Sequence, residues 1–548
     1  MKDRVHGINI VVPEFTNGPT LPGSDDGLRL ADDAPYFLAW ATNGRVDTRG
    51  VTECTLGHRI TRPSGPPDGI FAGWAWDGTH LRVVNDRYGF YPLYYFCDND
   101  RIAVSPSLTK LLTLGAPTEL DEEGMAVFLR IGFFLGEHTP FKAIRALPPQ
   151  VDFEWSHGKL RIAGRRPQAT LENISRNEAI DRFLTALRTA IQRRLPQDGR
   201  CAIPLSGGRD SRLLTLMLRE AGCPPAECVT VLHAPPLRNG DAICAAEVAA
   251  ALQLKHVLLN QQRNRLNAEL IKNVRTNMCS DEHTHYMVLA DYLRQHFTTV
   301  YDGIGADTLT GFSTPGRLDA FHKDNLTPYV DYLLGAYPKR NSGQEDFLAQ
   351  ALWPSQYKRF SRELAVECLK RELSKHLDAP SPPISFFFWN RTRREITLIG
   401  FGIMKDIPNV FCPYLDHDVY DGLASLPVSL LLDLKFRSDA IARAFPKAAA
   451  IPYDVWAKAP NVHAQSYFRQ FGRDLLWWIA ARPAGPLIRR TTALSIALRS
   501  AISAESGKSL FASRWIGPHT VYLLQLESFL RQLAATDVKV DLQMAATL

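Results

Sequence analysis

The apolar segment Cys201-Ala-Ile-Pro-Leu205 enters Ser206-Gly207-Gly208-Arg209-Asp210-Ser211, after which a leucine-rich stretch from Arg212 to Glu220 stops at Gly222. The pattern predicts a strand, a tight loop and a helix closed by glycine. Gly207 and Gly208 let the backbone approach a ligand closely, while Ser206, Ser211 and the N–H groups opening the helix aim donors at one spot. That spot suits phosphate oxygens. Asp210 would be repelled by bare phosphate, and its presence makes chemical sense if it holds a divalent cation that bridges to the anion. The same residues would also build a plain strand-to-helix turn with a serine cap. The GxxxxGK[ST] spacing is missing. A second glycine-bearing loop, Asp302-Gly303-Ile304-Gly305-Ala306-Asp307, follows the apolar run Thr298 to Tyr301. Asp210 and Asp307 facing a pyrophosphate would form a Mg2+ clamp, with turn formation as the competing role for Asp302 and Asp307.

These loops meet only if the strands before them lie in one sheet. Apolar runs at Val229 to His233 and His256 to Leu259 alternate with helical patterns, one of them opening at Asp241, which is the signature of a parallel sheet with helical crossovers. Right-handed crossovers place successive strand ends on one edge, where ligands bind. Upstream, the stretch from Phe71 to about Ile162 reads as hairpins turning at Asp77-Gly78, Asn99-Asp100 and His157-Gly158, with a helix from Glu122 to Ile131 capped by Asp121. The apolar pattern lapses between Gly164 and Ser175, and a long amphipathic helix runs from about Asn177 to Arg194. Two domains are expected, residues 1–168 and 176–548, the first mainly β, the second α/β and mostly helical beyond about residue 310.

With 45% apolar and 22% charged residues over 548 positions, the chain is expected to fold rather than to be disordered. Basic and acidic side chains number 63 and 57, an excess too small to require a polyanion, so no nucleic-acid partner is expected. Nine cysteines, odd in number and without a CxxC pair, argue for a reducing compartment and small buried hydrophobes rather than zinc. No secretion signal is visible and the densest apolar runs fall far short of the ~20 residues that cross a bilayer, so the expectation is a cytoplasmic protein with no membrane partner.

The Ser206–Ser211 loop resembles the pyrophosphate loop, usually SGGxDS, of the ATP pyrophosphatases, and Asp302 to Asp307 resembles the later loop of the asparagine synthetase and β-lactam synthetase group. Pro413-Tyr414-Leu415-Asp416 and Ala424-Ser425-Leu426-Pro427 are similar to that group's P(F/Y)LD and SLP segments. Phe71-Ala72-Gly73, Trp76-Asp77 and Asn85 to Tyr95 resemble its glutaminase-like partner domain. The resemblance implies an Ntn-hydrolase-like, β-rich α+β domain followed by an adenine-nucleotide α-hydrolase-like domain. It implies an ATP-dependent, AMP-forming carbon–nitrogen ligase that uses ATP and Mg2+. In such an enzyme Asp210 and Asp307 would hold the metal. Leu205, Ser206, Gly207, Gly208, Arg209, Asp210 and Ser211, with Gly303 and Gly305, would cradle the phosphates, and the backbone of Val231 and Leu232 would face adenine.

The departures narrow this further. The chain begins Met1-Lys2 where glutamine-dependent relatives carry a terminal cysteine nucleophile, and its first cysteine is Cys54, so glutamine hydrolysis is not expected. Ile304 stands where relatives place a glutamate or a catalytic tyrosine, and Thr308 where many have glutamate. This combination resembles lasso peptide cyclases, a branch of antibiotic biosynthesis by ribosomally made peptides. The implied substrate is a precursor (core) peptide whose N-terminal amine is joined to an internal Asp or Glu as a macrolactam, and the resemblance leaves room for a leader-binding protein and a leader peptidase. A ligase acting on a small molecule, as β-lactam synthetase does, or an asparagine synthetase using free ammonia are the near alternatives; a tRNA-modifying pyrophosphatase and a catalytically silent scaffold are the distant ones. Lys458, after Ile451-Pro452, is the expected catalytic lysine, with a solvated surface lysine as the competing role. Glu395 is expected in a helix-surface ion pair, and His283 and His285, taken to be on a helix, are expected to point apart. The basic C-terminal region, Arg482 to Arg514, is expected to be a solvated face.

Overall fold

The computed structural model describes residues 4–5, 8–9, 33–232, 239–261, 264–311, 320–335, 343–453, 465–507 and 516–545. A two-stranded ribbon, β1 (Arg4–Val5) and β2 (Ile8–Asn9), precedes the first domain's strands. These are β3 (Phe37–Thr42), β4 (Arg45–Gly50), β5 (Glu53–Ile60), β6 (Asp68–Trp76), β7 (Leu81–Asn85), β8 (Tyr94–Cys97), β9 (Arg101–Ser105), β10 (Arg145–Ala146), β11 (Asp152–Ser156) and β12 (Lys159–Ala163). They form two five-stranded antiparallel sheets, β10-β8-β9-β3-β4 and β12-β11-β7-β6-β5. Alternate residues point inward, as in β7, where Leu81, Val83 and Asn85 are buried and Arg82 and Val84 are exposed. Phe37, Trp74, Leu81, Ile102 and Trp155 fill the space between the sheets. The hairpin turns follow from backbone sterics: His157 (φ 45°) and Gly158 (φ 79°) supply the two positive φ values of a tight turn, and Asn43 (φ 50°) with Gly44 (φ 78°) supply another. The helix α1 (Leu108–Thr113) lies on the first sheet, and α2 (Glu122–Ile131) starts where Asp121 accepts the Gly124 N–H at 3.0 Å.

The second domain opens with α3 (Arg176–Gln192). Its sheet comprises β13 (Ala202–Pro204), β14 (Glu227–Val231), β15 (His256–Leu259), β16 (Thr299–Tyr301) and β17 (Asn409–Phe411), all parallel, in the spatial order β15-β14-β13-β16-β17. Strand order thus reverses between β13 and β16. The crossovers are α4 (Asp210–Glu220), α5 (Gly240–Ala251), and α6 (Arg265–Arg275) with α7 (Tyr286–His296). The sheet has one more strand than the sequence predicted, because β17 is three residues long and pairs with a strand more than a hundred residues upstream. Length that short carries no periodicity.

A second difference concerns Asn390-Arg391-Thr392-Arg393-Arg394-Glu395. Its charges suggested a surface helix; the structure buries Asn390, Thr392, Arg393, Arg394 and Glu395 in a wide π-type helix, Phe388–Ile396. The segment clamps the first domain: Arg393 donates to Leu147 O at 2.5 Å, Arg394 to His138 O at 2.6 Å, and Asn390 accepts the Gly136 N–H at 2.8 Å. Peptide carbonyls from the first domain replace the water these groups would otherwise need. The two domains therefore share one continuous apolar cluster, running from Tyr88, Phe90 and Phe128 to Leu205, Val300 and Phe388. Among the described residues no helix is long and apolar enough to cross a membrane.

Candidate active site

The reversal between β13 and β16 leaves a crevice beyond the carboxyl ends of these two neighbouring strands, and both glycine-bearing loops open into it. Leu205 anchors the first loop, its N–H bonded to Val229 O at 2.9 Å. Ser206 and Ser211 then close on each other: the Ser206 N–H donates to Ser211 Oγ at 3.1 Å, the two hydroxyls lie 3.2 Å apart, and the Gly208 N–H donates to Ser206 Oγ at 3.2 Å. No side chain caps α4, so its first N–H groups are left without a capping acceptor. At Gly207 a Cβ would come within 2.7 Å of Cys244 in α5, so the loop and the start of that helix touch directly.

The second loop lies against the first. A Cβ on Gly303 would stand 3.1 Å from Asp210 Cβ, and Gly305, at φ +94°, has Leu415 Cδ2 where a side chain would go, 2.6 Å from that position. Asp302 accepts the Ile304 N–H at 3.0 Å and Asp307 accepts the Thr308 N–H at 2.7 Å. Asp210 and Asp307, nearly a hundred residues apart in sequence, thus converge on one crevice. Burial pushes the Asp210 carboxyl above its ordinary range and Asp307 adds to this, against the pull of Arg437. Asp302 is pushed up to about 6 by burial, with Asp210 adding to the rise.

The Pro413–Asp416 segment holds both loops at once. Tyr414 donates its hydroxyl to Asp210 O at 3.1 Å, and Leu415 occupies the space over Gly305. Asp416 turns the other way, into Arg194, which lies between it (2.7 Å) and Asp68 of the first domain (3.2 Å). Opposite Tyr414, the helix Phe436–Ala444 sends Arg437 to Asp210, while Ser438 Oγ meets Arg209 at 3.3 Å. Tyr453 lies under two guanidinium groups, Arg212 at 4.0 Å and Arg209 at 4.8 Å from its ring centre. Sequence reasoning missed Arg437 and Tyr453, since an arginine or a tyrosine in a helical region carries no spacing signal.

Other expected positions fare differently. At the mouth of β14, the Leu232 N–H is taken by Leu259 O at 2.8 Å and its carbonyl accepts Gln261 Nε2 at 2.9 Å. An incoming base would find the second lone pair of that carbonyl and the neighbouring Val231 edge. Lys458 lies outside the described residues, as does His233 at the end of the strand expected there. Ile304 is buried and packs toward Gly400. Glu395, expected in a surface pair, is wholly buried, 3.6 Å from His283 Nε2 and 3.3 Å from Arg391. His283 is not on a helix: its φ of +76° is left-handed, and it lies just before α7 in a cluster with Glu282 and Glu395. Arg391 pairs with both carboxylates, so their charge is met inside the protein.

Comparison with protein families matches residues 182–393 to the asparagine synthase domain and residues 57–164 to a glutamine amidotransferase domain. The stretch that holds both glycine-bearing loops is similar to an asparagine synthase domain. Both loops of the crevice fall inside that match, which covers four of the five parallel strands, while the amidotransferase match leaves out β3 and β4 of the sandwich. No curated protein matches the chain. The synthase domain makes the protein an asparagine synthetase-like, ATP-dependent carbon–nitrogen ligase of the AMP-forming type. Its match ends before Tyr414 and Leu415, which hold the two loops, and before Arg437, which pairs with Asp210. The donor set of the crevice consists of hard carboxylate oxygens, one of them on Asp210 at 23% exposure, and such oxygens suit Mg2+ carried in with a polyphosphate. In the amidotransferase-like domain, burial raises the thiols of Cys54 and Cys97, the latter to about 11, which leaves both poor nucleophiles.

Proposed function

We propose that the protein is a lasso peptide macrolactam cyclase: it adenylates an internal Asp or Glu side chain of a precursor peptide and joins it to the peptide's own N-terminal amine. The observation that carries the reading is that Asp210, Asp302 and Asp307 lie together on the two glycine-bearing loops while Ile304 of the second loop is buried and offers no side-chain base. Activation remains possible at such a site, while the amine must be presented by the substrate itself. A carboxylate oxygen attacks the α-phosphorus of ATP, the α–β bridging bond breaks and pyrophosphate leaves with the electron pair. The amine then attacks the acyl carbon, loses a proton and expels AMP. Adenylation is needed because a carboxylate is a poor electrophile, and the protein's share is orientation and charge stabilisation.

Within this reading the N–H groups opening α4, with Ser206 and Ser211, orient the phosphates, and the Val231–Leu232 edge receives the base. Asp210 and Asp307 would hold Mg2+, which when bound neutralises charge building on the leaving pyrophosphate. Lys458 is the proposed further donor, the chain is divided at residues 168 and 176, and the first domain serves as scaffold and docking surface for the peptide. Incubation of the protein with ATP, Mg2+ and a synthetic precursor peptide should release pyrophosphate and yield a product lighter by one water, seen by mass spectrometry. Pyrophosphate release that depends only on aspartate or another small acid would overturn the peptide assignment in favour of a small-molecule ligase.

A further inference from the structure

We propose that His283, seated between Glu282 and Glu395 just before α7, is the general base of the crevice: it takes the proton that the attacking amine loses, a task for which the second loop has no side chain. The inference rests on the ligase reading above and adds to it a residue from another element.

Topology places the cluster at the crevice. The chain passes from β13 through α4, β14 and α5 to β15 in one direction along the sheet and returns through α6 and α7 to β16, so right-handed crossovers put α4 and α7 on opposite faces. α7 runs antiparallel to the strands: its end leads within three residues into β16, and Tyr292 donates to Glu227 Oε2, on the first residue of β14, at 2.7 Å. Tyr286, at the start of the same helix and hence ~9 Å further along, stands at the carboxyl edge into which both glycine-bearing loops open. The phosphate loop and α4 thus bound the crevice from one face, and the start of α7 bounds it from the other. The π-type helix joins that second wall: Thr392 Oγ1 meets Thr308 Oγ1, beside Asp307, at 3.0 Å, and Glu395 follows Thr392 by less than one turn.

The cluster has the parts of an acid–base pair. His283 Nε2 lies 3.6 Å from Glu395 Oε1 and 3.9 Å from Glu282 Oε2. Arg391, which pairs with both carboxylates, brings one positive charge to two negative ones, so an imidazolium formed there completes the balance. Lys272, buried nearby, is answered by Glu269 at 3.6 Å. The rings of Tyr286 and His285 flank the imidazole, their centres 5.9 and 6.3 Å from its own. Burial, with Asp302 and Asp241 adding to it, holds the Tyr286 phenol well above its ordinary range, so it keeps its proton. Imidazole titrates near neutral pH, where it can take a proton and release it again. In the step itself the amine nitrogen bonds to the acyl carbon, its proton passes to the imidazole, and the bond from that carbon to the AMP oxygen breaks with the electron pair going to AMP. The imidazolium, held by its carboxylates, then returns the proton to water.

The test separates this step from activation. Full-length wild type, His283→Gln and Glu282→Gln are given ATP, Mg2+ and the synthetic precursor peptide, and two rates are followed: exchange of labelled pyrophosphate into ATP, which reads activation alone, and ring closure by mass spectrometry. His283→Gln should exchange pyrophosphate within about twofold of wild type and close the ring about 10²–10⁴-fold more slowly at pH 7. Hydroxylamine, which is unprotonated at neutral pH, needs no base, so the hydroxamate should form at about the wild-type rate. Glu282→Gln should move the midpoint of the rise of ring closure with pH downward by about one unit, because a carboxylate that favours the imidazolium is gone. Parallel loss of exchange and ring closure in His283→Gln, undiminished ring closure, or hydroxamate formation that falls as far as ring closure overturns the proposal, and so does an unmoved midpoint in Glu282→Gln. If His283→Gln does not fold, that midpoint decides alone. If wild type exchanges no pyrophosphate with the peptide, the reading of the previous section falls instead.

Discussion

Two arginine–aspartate clusters sit at the two ends of the Tyr414–Asp416 segment, and they are built to different purposes. At one end Arg194 is 2% exposed and its partners Asp68 and Asp416 are 1% and 0%; at the other, the Arg437–Asp210 pair is an order of magnitude more open. The first cluster is closed on every side. Asp68 also accepts the backbone N–H groups of Gly69 at 2.5 Å and His417 at 3.2 Å, and Arg62 reaches over to His417 Nδ1 at 2.9 Å. Burial drives the His417 imidazole down to about 4, so it stays neutral there. The comparison teaches that the same kind of ion pair is sealed from water at one end of the segment and left open to it at the other. It also gives the first domain a task that needs no nucleophile: it anchors the segment that presses the two loops together.

The contrast can be broken most severely at the closed end. Arg194→Ala leaves Asp68 buried without its arginine and Asp416 with Arg193 alone, at 3.3 Å, and should cost about 3–5 kcal/mol in urea unfolding; a loss under about 1 kcal/mol would mean that water reaches the cluster and that the two ends do not differ. At the open end, Asp210→Asn or Asp307→Asn should lower turnover by about 10²–10³-fold, the usual range for one lost charge-stabilising group, while unfolding stays near wild type. Wild-type turnover in either variant would remove the metal assignment. Between the ends, Gly305→Ala forces a left-handed residue against Leu415, at a cost of about 1–3 kcal/mol. Turnover should fall with stability, because Asp307 is carried on the displaced loop.

The mildest probe is pH. The folded-state pKa of Asp302 lies near 6, above the ordinary 3.8, so the folded chain holds an extra proton between those values. The contribution of Asp302 to stability is therefore fully present at pH below about 4 and is lost as pH rises through 6. Metal binding should run the other way. Mn2+ affinity should be flat above about pH 7 and weaken as Asp302 takes up its proton below 6, by at most tenfold per unit, whereas the Asp68–Arg194–Asp416 end should show no metal dependence at all. An Mn2+ affinity independent of pH from 5 to 7 would separate Asp302 from the site.

Much of the local structure was readable beforehand, for reasons confined to a few residues. Asp121 capping α2, the turn at His157-Gly158 and the strand His256–Leu259 each follow from backbone sterics or short-range alternation. Asn43-Gly44 gives the same turn signal, yet the hairpin it joins, β3 and β4, was not anticipated. The buried Arg393, Arg394 and Glu395 could not be read at all. A charged run looks solvated unless the carbonyls that receive it, more than 240 residues away at Leu147 and His138, are known.

That the two glycine loops follow apolar strands and that each carries a carboxylate was settled by the sequence, because chain connectivity and residue type alone decide which loops follow which strands. That Asp210 faces Arg437, that Asp416 is locked by Arg194 to a carboxylate of the other domain, and that Glu395 is buried beside His283 were decided only by tertiary structure. Such pairings depend on which distant groups exclude water together, and exclusion of water is a property of the assembled molecule rather than of any stretch of chain.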